Sequence, residues 1–209
     1  MTDTQKKPLW KNELVWLFLL TSGLFAILYS KFILGGYAYV FTDTGADTMQ
    51  INYAQYGLFS SLFRNGESGY VLQAGLGMDV SSYYPAYLIP YNLLILLAPQ
   101  RLLPWAVLAS AYLKMITISL VGYLFYRKLM GEGIGTMAAA LAWTFSGYVI
   151  LWGQHYGFCT CMALFTVFMY FLQCYLNGEQ RWKSAGLVLT VTMLLISSYY
   201  FLYMIAFFA

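Results

Sequence analysis

Long apolar stretches, separated by short polar segments, dominate the pattern along this chain. The hydrocarbon core of a bilayer is about 30 Å thick, so a helix needs about 20 predominantly apolar residues to cross it. Five stretches meet this requirement and carry almost no charge. The pattern therefore predicts an all-α integral membrane protein with about five transmembrane helices, over Leu14–Tyr37, Trp105–Tyr126, Ile134–Trp152, Tyr156–Leu176 and Leu187–Ala209.

The first loop, residues 38–104, is long and holds two weaker hydrophobic patterns. In Met49–Phe59, apolar residues recur at three- and four-residue spacing, which is typical of an amphipathic helix. The run Ala86–Ala98 is apolar but short for a span, and it contains Pro90. Several tyrosines surround that run, as is typical of an element at the headgroup level. We therefore expect two interfacial or re-entrant helices in this loop.

Composition narrows the class of protein further. Hydrophobic residues make up 61% of the 209 residues and charged residues only 9%, whereas roughly a quarter of a soluble domain is charged. So few charges cannot cover a water-facing surface, and so high a hydrophobicity excludes intrinsic disorder. A net charge of +3 gives no support to nucleic-acid binding. The three cysteines lie in one apolar stretch and are expected to pack there, without metal-ligand spacing; they are Cys159, Cys161 and Cys174.

The positions of Lys and Arg predict the orientation, because cytoplasmic segments are enriched in them. A cytoplasmic N-terminus puts most of the basic residues inside and the acid-rich loop 38–104 outside. Counting Ala86–Ala98 as a span would break this pattern. The chain ends within an apolar stretch without a polar tail, so we expect one membrane domain, residues 1–209, from the N-terminus of a longer protein. The basic residues expected inside are Lys6, Lys7, Lys11, Arg127, Lys128, Arg181 and Lys183.

Two carboxylates, Asp43 and Asp47, follow the first predicted span. One interpretation is that they cap the helix that follows, since acidic side chains are favoured near a helix N-terminus. The other is chemistry at the outer membrane surface, where a carboxylate takes a proton from a hydroxyl or helps to hold a divalent cation. The pattern requires no cofactor, and a divalent cation is compatible with it.

A few further polar residues join the candidate site. Lys114 lies near the middle of the second predicted span, where a charge costs at least ~2.5 kcal/mol. It either pairs or snorkels, or it lines a cavity and binds a lipid phosphate or an acid of the loop. Gln154 and His155, in the short turn between the third and fourth spans, are either polar surface or face a binding site on the same side as Asp47. Arg101 either pairs with an acid or binds phosphate, and Gln50 is the remaining candidate for substrate binding.

Several blocks of the chain resemble the N-terminal part of the bacterial YfhO family of multispanning membrane proteins, which are similar to GT-C fold glycosyltransferases. The resemblance extends from about residue 14 to the end and implies a GT-C-like fold. Members of the family are longer, with further spans and extracytoplasmic parts. The blocks that carry the resemblance are FTDTGADTMQ, GLGMDVSSYYPAYLIPYNLLILLAP, LKMITISLVGYLFYRKL and FSGYVILWGQHYGF.

The resemblance implies sugar transfer on the outer face of a bacterial plasma membrane. The donor would be a sugar on a polyprenyl phosphate within the lipid bilayer, and the acceptor a cell-surface polymer such as teichoic acid. In enzymes of this type an acidic residue in the first outer loop commonly acts as the base. This implies Asp47 as the first choice of catalytic residue and Asp43 as the second. A single displacement would invert the anomeric centre, as in inverting glycosidases.

Hypotheses from other classes remain open. A lipid or polymer transporter or flippase is the main alternative, and it predicts broken spans that face each other near the midplane. An intramembrane serine protease would use Ser146 and His155 as a catalytic dyad. A purely structural or assembly role is the last alternative.

Overall fold

The structure is a computed structural model that describes residues 12–40, 47–72, 74, 76–179 and 181–208. The chain is mostly helical (78%), which is compatible with an all-α membrane protein. A π-helix, Thr48–Tyr53, and a 3₁₀-helix, Gln100–Leu102, supplement the α-helices. The α-helices are α1 Glu13–Leu28, α2 Ser30–Leu34, α3 Ala54–Arg64, α4 Tyr84–Tyr87, α5 Pro90–Leu97, α6 Leu103–Met130, α7 Ile134–Thr144, α8 Gly147–Trp152, α9 Tyr156–Leu176, α10 Arg181–Ser197 and α11 Tyr199–Phe208.

Three segments of the described chain are long and apolar enough to cross a membrane. They correspond to the second, third and fourth predicted spans. The first and fifth predicted spans are divided into shorter helices, of which α1 has 16 residues and α10 has 17. The count of five transmembrane helices therefore stays a prediction. The three segments are Gln100–Met130, Ile134–Trp152 and Tyr156–Leu176.

Serine residues accompany the interruptions within the apolar stretches. Helix α1 ends before Tyr29-Ser30, α7 is separated from α8 by Phe145-Ser146, and α10 is separated from α11 by Ser198. Serine competes for backbone hydrogen bonds, and Gly/Ser pairs are common sites of helix kinks. Hydrophobic length alone does not register these interruptions, because each serine is a small residue within an apolar run.

Helix α6 forms the centre of the bundle, with α1, α5, α7 and α9 packed against it. Helices α6 and α9 run in the same direction, since Lys114 contacts Tyr156 and Gly122 lies beside Thr166. Helix α6 has 28 residues, about 42 Å at 1.5 Å per residue, and therefore exceeds the ~30 Å core of a bilayer. Helix α9 has 21 residues, about 32 Å, which matches that thickness.

The two ends of the bundle differ in structure. At one end, here called the loop end, lie the π-helix, α3, α4 and α5. At the other end, here called the turn end, short turns join α6 to α7 and α9 to α10. Gly131 and Gly133 have φ angles of 83° and 149° in the first of these turns, a backbone conformation that favours glycine. Glu13, at the start of α1, also lies at the turn end, where it accepts a hydrogen bond from the Gly133 amide over 3.2 Å.

The described part of the loop contains helices, whose bounds differ from those of its hydrophobic patterns. The pattern in Met49–Phe59 lies within the π-helix and α3. The run Ala86–Ala98 is divided into α4 and α5, because Ile89 precedes Pro90 and takes an extended conformation, with ψ 139°. A short hairpin pairs Tyr70 with Asp79 and Val71 with Met78. Whether these loop helices lie in a membrane interface stays a prediction.

Candidate functional site

A cavity of about 240 Å³, here called the polar cavity, lies at the loop end. It is formed where α3, α4 and α5 meet the start of α9 and the end of α10. Its lining combines amides, phenols and hydroxyls, and none of its described lining residues carries a charge. The polar side chains of this lining are Asn52, Gln55, Asn92, Tyr56, Tyr83, Tyr87, Thr160 and Ser197.

The loop side of the polar cavity comes from one helical face. Gln55 and Tyr56 follow Asn52 by three and four residues, so each lies on the same side of the helix as Asn52. Tyr56 is only 7% exposed. Its ring stacks on the ring of Tyr156 with centroids 5.3 Å apart, and its hydroxyl donates to Asn92 Oδ1 over 3.3 Å. The packing of Tyr56 on α9 thereby holds its hydroxyl group against Asn92.

Asn92 is held in one orientation. Its Oδ1 accepts from Tyr56, and its Nδ2 donates to the Ala86 carbonyl over 3.1 Å. Burial raises the pKa values of Tyr56 and Tyr87 above the usual phenol value of 10.0. These phenols therefore keep their protons at neutral pH, and the polar cavity offers neutral donors and acceptors.

The membrane side of the polar cavity contributes two hydroxyls. Thr160 Oγ1 donates to the Tyr156 carbonyl over 3.1 Å. Ser197 Oγ is buried and has no hydrogen-bond partner within the described ranges. Most buried polar atoms are hydrogen-bonded, so an unpartnered hydroxyl beside a cavity is a candidate contact for a ligand.

Asp47 is exposed at the start of the π-helix and does not belong to the described lining of the polar cavity. As the residue before the π-helix it makes no side-chain capping hydrogen bond, which was the alternative role predicted for it. Its backbone carbonyl accepts from Asn52 Nδ2 over 3.3 Å. Asn52 thus links Asp47 to the rim of the polar cavity. Asp43 lies outside the described residues.

Gln154 and His155 lie in the turn before α9, next to the π-helix. Thr48 Oγ1, adjacent to Asp47, donates to the Gln154 carbonyl over 3.4 Å. The His155 ring stacks on Phe158, with centroids 5.3 Å apart, and lies 5.5 Å from the ring of Trp152. The turn and the start of the π-helix are therefore in contact, although neither Gln154 nor His155 lines the described polar cavity.

Lys114 is buried, with 2% of its surface exposed. Its Nζ donates to the Tyr156 carbonyl over 3.1 Å, and Thr160 donates to that same carbonyl. Counting residues along α6 puts Lys114 near mid-span, but its amino group contacts the first residue of α9. Because α9 alone matches the thickness of a bilayer core, Lys114 lies close to the loop end.

The remaining predicted site residues are exposed. Arg101 lies in the 3₁₀-helix before α6, and Gln50 lies in the π-helix. Neither lines the polar cavity in the described part of the chain. The roles predicted for Arg101 and Gln50 therefore stay predictions that rest on the sequence.

The described geometry gives little support to a serine protease dyad or to a metal site. Ser146 Oγ is buried without a hydrogen-bond partner among the described residues, so it forms no dyad with His155. Within residues 12–40, 47–72, 74, 76–179 and 181–208, no group of three or more His, Cys, Asp or Glu could hold a metal ion. The three cysteines are free and buried in α9.

Sequence reasoning missed most of the polar cavity. It treated Asn52, Gln55 and Tyr56 only as parts of an amphipathic helix, although their spacing gives that helix a polar face. Asn92 is the single amide in the apolar run Ala86–Ala98, and this isolation was a usable signal. Ser197 and Thr160 offered none, because both lie within apolar helices where small hydroxyl residues are common.

Comparison with known proteins gave no relative: no family model, no curated protein and no solved structure matches this chain.

Proposed function

We propose that this chain forms part of a membrane glycosyltransferase that moves a sugar from a polyprenyl phosphate to an extracytoplasmic acceptor, such as teichoic acid. The polar cavity at the loop end is the observation that carries the proposal. The resemblance of the sequence blocks to the YfhO family supplies the donor and the acceptor. The charge pattern supports a loop end on the outer face of the membrane, and the resemblance supplies the bacterial plasma membrane.

The lining of the polar cavity suits a sugar ring. Amides and hydroxyls match the donors and acceptors of sugar hydroxyl groups, and the faces of tyrosine rings pack against the apolar C–H surface of a pyranose. A volume of about 240 Å³ is slightly below the ~300 Å³ lower end for drug-sized ligands. The cavity therefore has the dimensions for one sugar residue. The absence of charge from its described lining favours a neutral sugar.

In this proposal Asp47 is the general base. An acceptor hydroxyl forms a bond to the anomeric carbon while the Asp47 carboxylate takes the proton of that hydroxyl. The bond between the anomeric carbon and the phosphate oxygen breaks, and its electron pair leaves with polyprenyl phosphate, a stable anion. The hydrogen bond between Asn52 and the Asp47 backbone supports a position at the rim, where an acceptor approaches from water.

Lys114 supplies the positive charge for the departing phosphate. A cation at a developing negative charge in a dry site stabilises the transition state more strongly than it would in water. Lys114 is buried and makes no ion pair with the described residues, so its charge is available to a ligand anion. Gln154 and His155 are proposed to contact the donor or acceptor from the adjoining turn.

A transporter or flippase is the second candidate, because three of the apolar stretches are interrupted. A transporter would need these interruptions to face each other near the midplane. Two of them lie near the start of α9 instead: Tyr29 packs on Tyr39, whose backbone accepts from the Tyr156 hydroxyl, and Phe201 packs on Phe158. This clustering at the loop end favours the transferase.

The test is Asp47→Asn in the full-length protein, with Asp79→Asn as the matched control on the same loop. Asn at position 79 keeps an oxygen that can accept from Ser81. We expect Asp47→Asn to lower glycosylation of the surface polymer in cells by about 10² or more, the usual contribution of a general base. The Asp79→Asn variant is expected to keep the wild-type level. Wild-type glycosylation by Asp47→Asn would contradict the assignment of the base.

A further inference from the structure

Tyr156, the first residue of α9, contacts the chain on both sides of Asp47. Its hydroxyl group donates a hydrogen bond to the backbone carbonyl of Tyr39, which precedes Asp47 in the sequence. Its ring stacks on the ring of Tyr56, which follows Asp47, with centroids 5.3 Å apart. Tyr156 is 3% exposed, and both of its tyrosine partners are buried as well. The stretch that contains Asp47 is therefore attached to one residue of α9 at both of its ends.

The ring of Tyr39 strengthens the first of these attachments. Its centroid lies 5.9 Å from that of Tyr156 and 5.2 Å from that of Tyr29, the residue that follows α1. A Cβ atom at Gly153 would lie 3.0 Å from the Tyr39 hydroxyl group, so this ring also packs against the turn before α9. The chain at Tyr39 is thus held between the end of α1 and the start of α9.

A second hydrogen bond holds the chain next to Asp47. Thr48 is fully buried, and its Oγ1 donates to the Gln154 carbonyl over 3.4 Å. Gln154 lies two residues before Tyr156, so both hydrogen bonds reach the same short segment of the chain. Within the π-helix, Asn52 Nδ2 donates to the Asp47 carbonyl over 3.3 Å. The backbone at Asp47 is therefore attached to the start of α9 before, beside and after this residue.

Tyr156 also holds two walls of the polar cavity. Tyr56 and Thr160 both line this cavity; Tyr56 stacks on the Tyr156 ring, and Thr160 donates to the Tyr156 carbonyl. Lys114 donates to that same carbonyl. Tyr156 itself is not part of the described lining. It therefore connects the stretch around Asp47 to the polar cavity without occupying the space in which a ligand would lie.

We infer that Tyr156 and Thr48 are positioning residues that fix the Asp47 carboxylate relative to the polar cavity. This role rests on the proposed function, because the base that they position is the one proposed there. A displacement of about 1 Å between reacting groups can lower a rate by on the order of 10². Two hydroxyl groups that bind only backbone carbonyls can therefore control the reaction through the place of Asp47.

The contact is tested by Tyr156→Phe in the full-length protein in lipid nanodiscs, with Tyr175→Phe as the matched control. Phenylalanine keeps the ring and the backbone carbonyl at position 156 and removes only the hydroxyl group. Tyr175 is 57% exposed on the same helix. Hydrogen exchange of residues 47–53 is measured by mass spectrometry.

We expect Tyr156→Phe to accelerate exchange of residues 47–53 about fivefold, the factor that corresponds to one ordinary hydrogen bond. Exchange in α6 should stay unchanged, and Tyr175→Phe should exchange as wild type does. Unchanged exchange of residues 47–53 in Tyr156→Phe would overturn the inference. Equal acceleration throughout α6 would also overturn it, because the hydroxyl group would then stabilise the whole fold.

Glycosylation of the surface polymer in cells, per amount of protein in the membrane, separates positioning from general stability. We expect Tyr156→Phe to lower it about tenfold in the wild-type background. In the Asp47→Asn background it should cause no further fall, because residues that act as a unit are not additive. A fall by the same factor in both backgrounds would overturn the inference, since Tyr156 would then act independently of Asp47.

Thr48→Val gives a second test, which also applies if Tyr156→Phe does not fold. Valine has nearly the shape of threonine and lacks the hydroxyl group that binds the Gln154 carbonyl. We expect faster exchange of residues 47–53 and the same lack of additivity with Asp47→Asn. Exchange at the wild-type rate would exclude Thr48 as a positioning residue.

Failure of the positioning role and failure of the proposed function give different results. If Asp47→Asn abolishes glycosylation but Tyr156→Phe and Thr48→Val exchange as wild type does, the base stands and the positioning role is wrong. If both variants accelerate exchange but Asp47→Asn glycosylates normally, the attachment to α9 stands and the proposed base is wrong.

Discussion

At the scale of residues, Lys114 is a buried cation whose described contact is a backbone carbonyl. An amino group in this position carries a desolvation cost that the hydrogen bond to Tyr156 only partly offsets. Since the acceptor is also bonded by Thr160, removal of the charge leaves no unpaired carbonyl. The cost of Lys114 is therefore explained better by a ligand than by the fold.

Lys114→Met tests this interpretation, because methionine fills similar space without charge. A hydrogen bond to a charged group contributes about 1.5–3 kcal/mol, so glycosylation of the surface polymer in cells should fall about tenfold or more. Thermal unfolding in detergent should occur at the same temperature or higher, because replacing a buried charge by an apolar side chain is often neutral or stabilising. A large drop in unfolding temperature with unchanged glycosylation would indicate a structural role for Lys114.

The sequence identified Lys114 as unusual but could not identify its partner. Hydropathy shows that a charge interrupts a span, whereas the depth of that charge depends on where α9 begins beside it. Asp47 illustrates the converse: its position at a helix start was predicted, but not the bond from Asn52 to its backbone. Contacts between segments distant in sequence follow from packing, which a single sequence does not encode by any periodic pattern.

At the scale of elements, a charged cluster ties α6 to α10 at the turn end. Glu179, in the turn after α9, binds both Lys128 of α6 and Lys183 of α10. These hydrogen bonds hold the pKa of Glu179 at about 2, below its usual 4.5. The same contact raises the pKa of Lys183. The cluster holds the turn ends of α6 and α10 together.

The shifted pKa of Glu179 predicts a pH-dependent stability. Because the pKa is lowered on folding, the stabilising contribution is fully present above pH about 4.5 and is lost as the pH falls towards about 2. Glu179→Gln should therefore unfold at a lower temperature than wild type at neutral pH, and the difference should shrink as the pH falls through about 2. Glu132→Gln, in an exposed pair with Arg127, is the control and should differ little from wild type. If the difference in unfolding temperature is as large near pH 2 as at neutral pH, the charge of Glu179 is not its source.

The long apolar helices were predicted well from hydrophobic length. The breaks within apolar stretches were predicted less well, because single residues such as Ser146 and Pro90 determine them. The predicted span Tyr156–Leu176 has the same bounds as α9, and Trp105–Tyr126 lies within α6. The break between α7 and α8 was missed, because Ser146-Gly147 is too short a signal to interrupt an apolar window. Pro90 was noted, yet its effect on Ile89, and hence the division into α4 and α5, was not predicted.

At the scale of the whole molecule, the polar cavity and the buried Lys114 both lie towards the loop end, where α9 begins. The basic residues Arg127, Lys128 and Lys183 lie at the turn end, opposite to the loop. Which of the two ends is cytoplasmic stays a prediction from the positions of the basic residues. The central claim is that a sugar enters the polar cavity from the membrane-bound donor at the loop end.

The most direct measurement is glycosylation of the surface polymer in cells that produce the full-length protein with Gly157→Trp or Gly135→Trp. Both glycines are exposed near the start of a helix, and a Cβ atom at either would have no neighbour within 4 Å. Gly157 lines the polar cavity, whereas Gly135 lies near the turn end on α7. We predict that Gly157→Trp lowers glycosylation by about a hundredfold or more, equal to about 2.7 kcal/mol, and that Gly135→Trp has the wild-type level. Equal, wild-type glycosylation by both variants would contradict the claim that the sugar occupies this cavity.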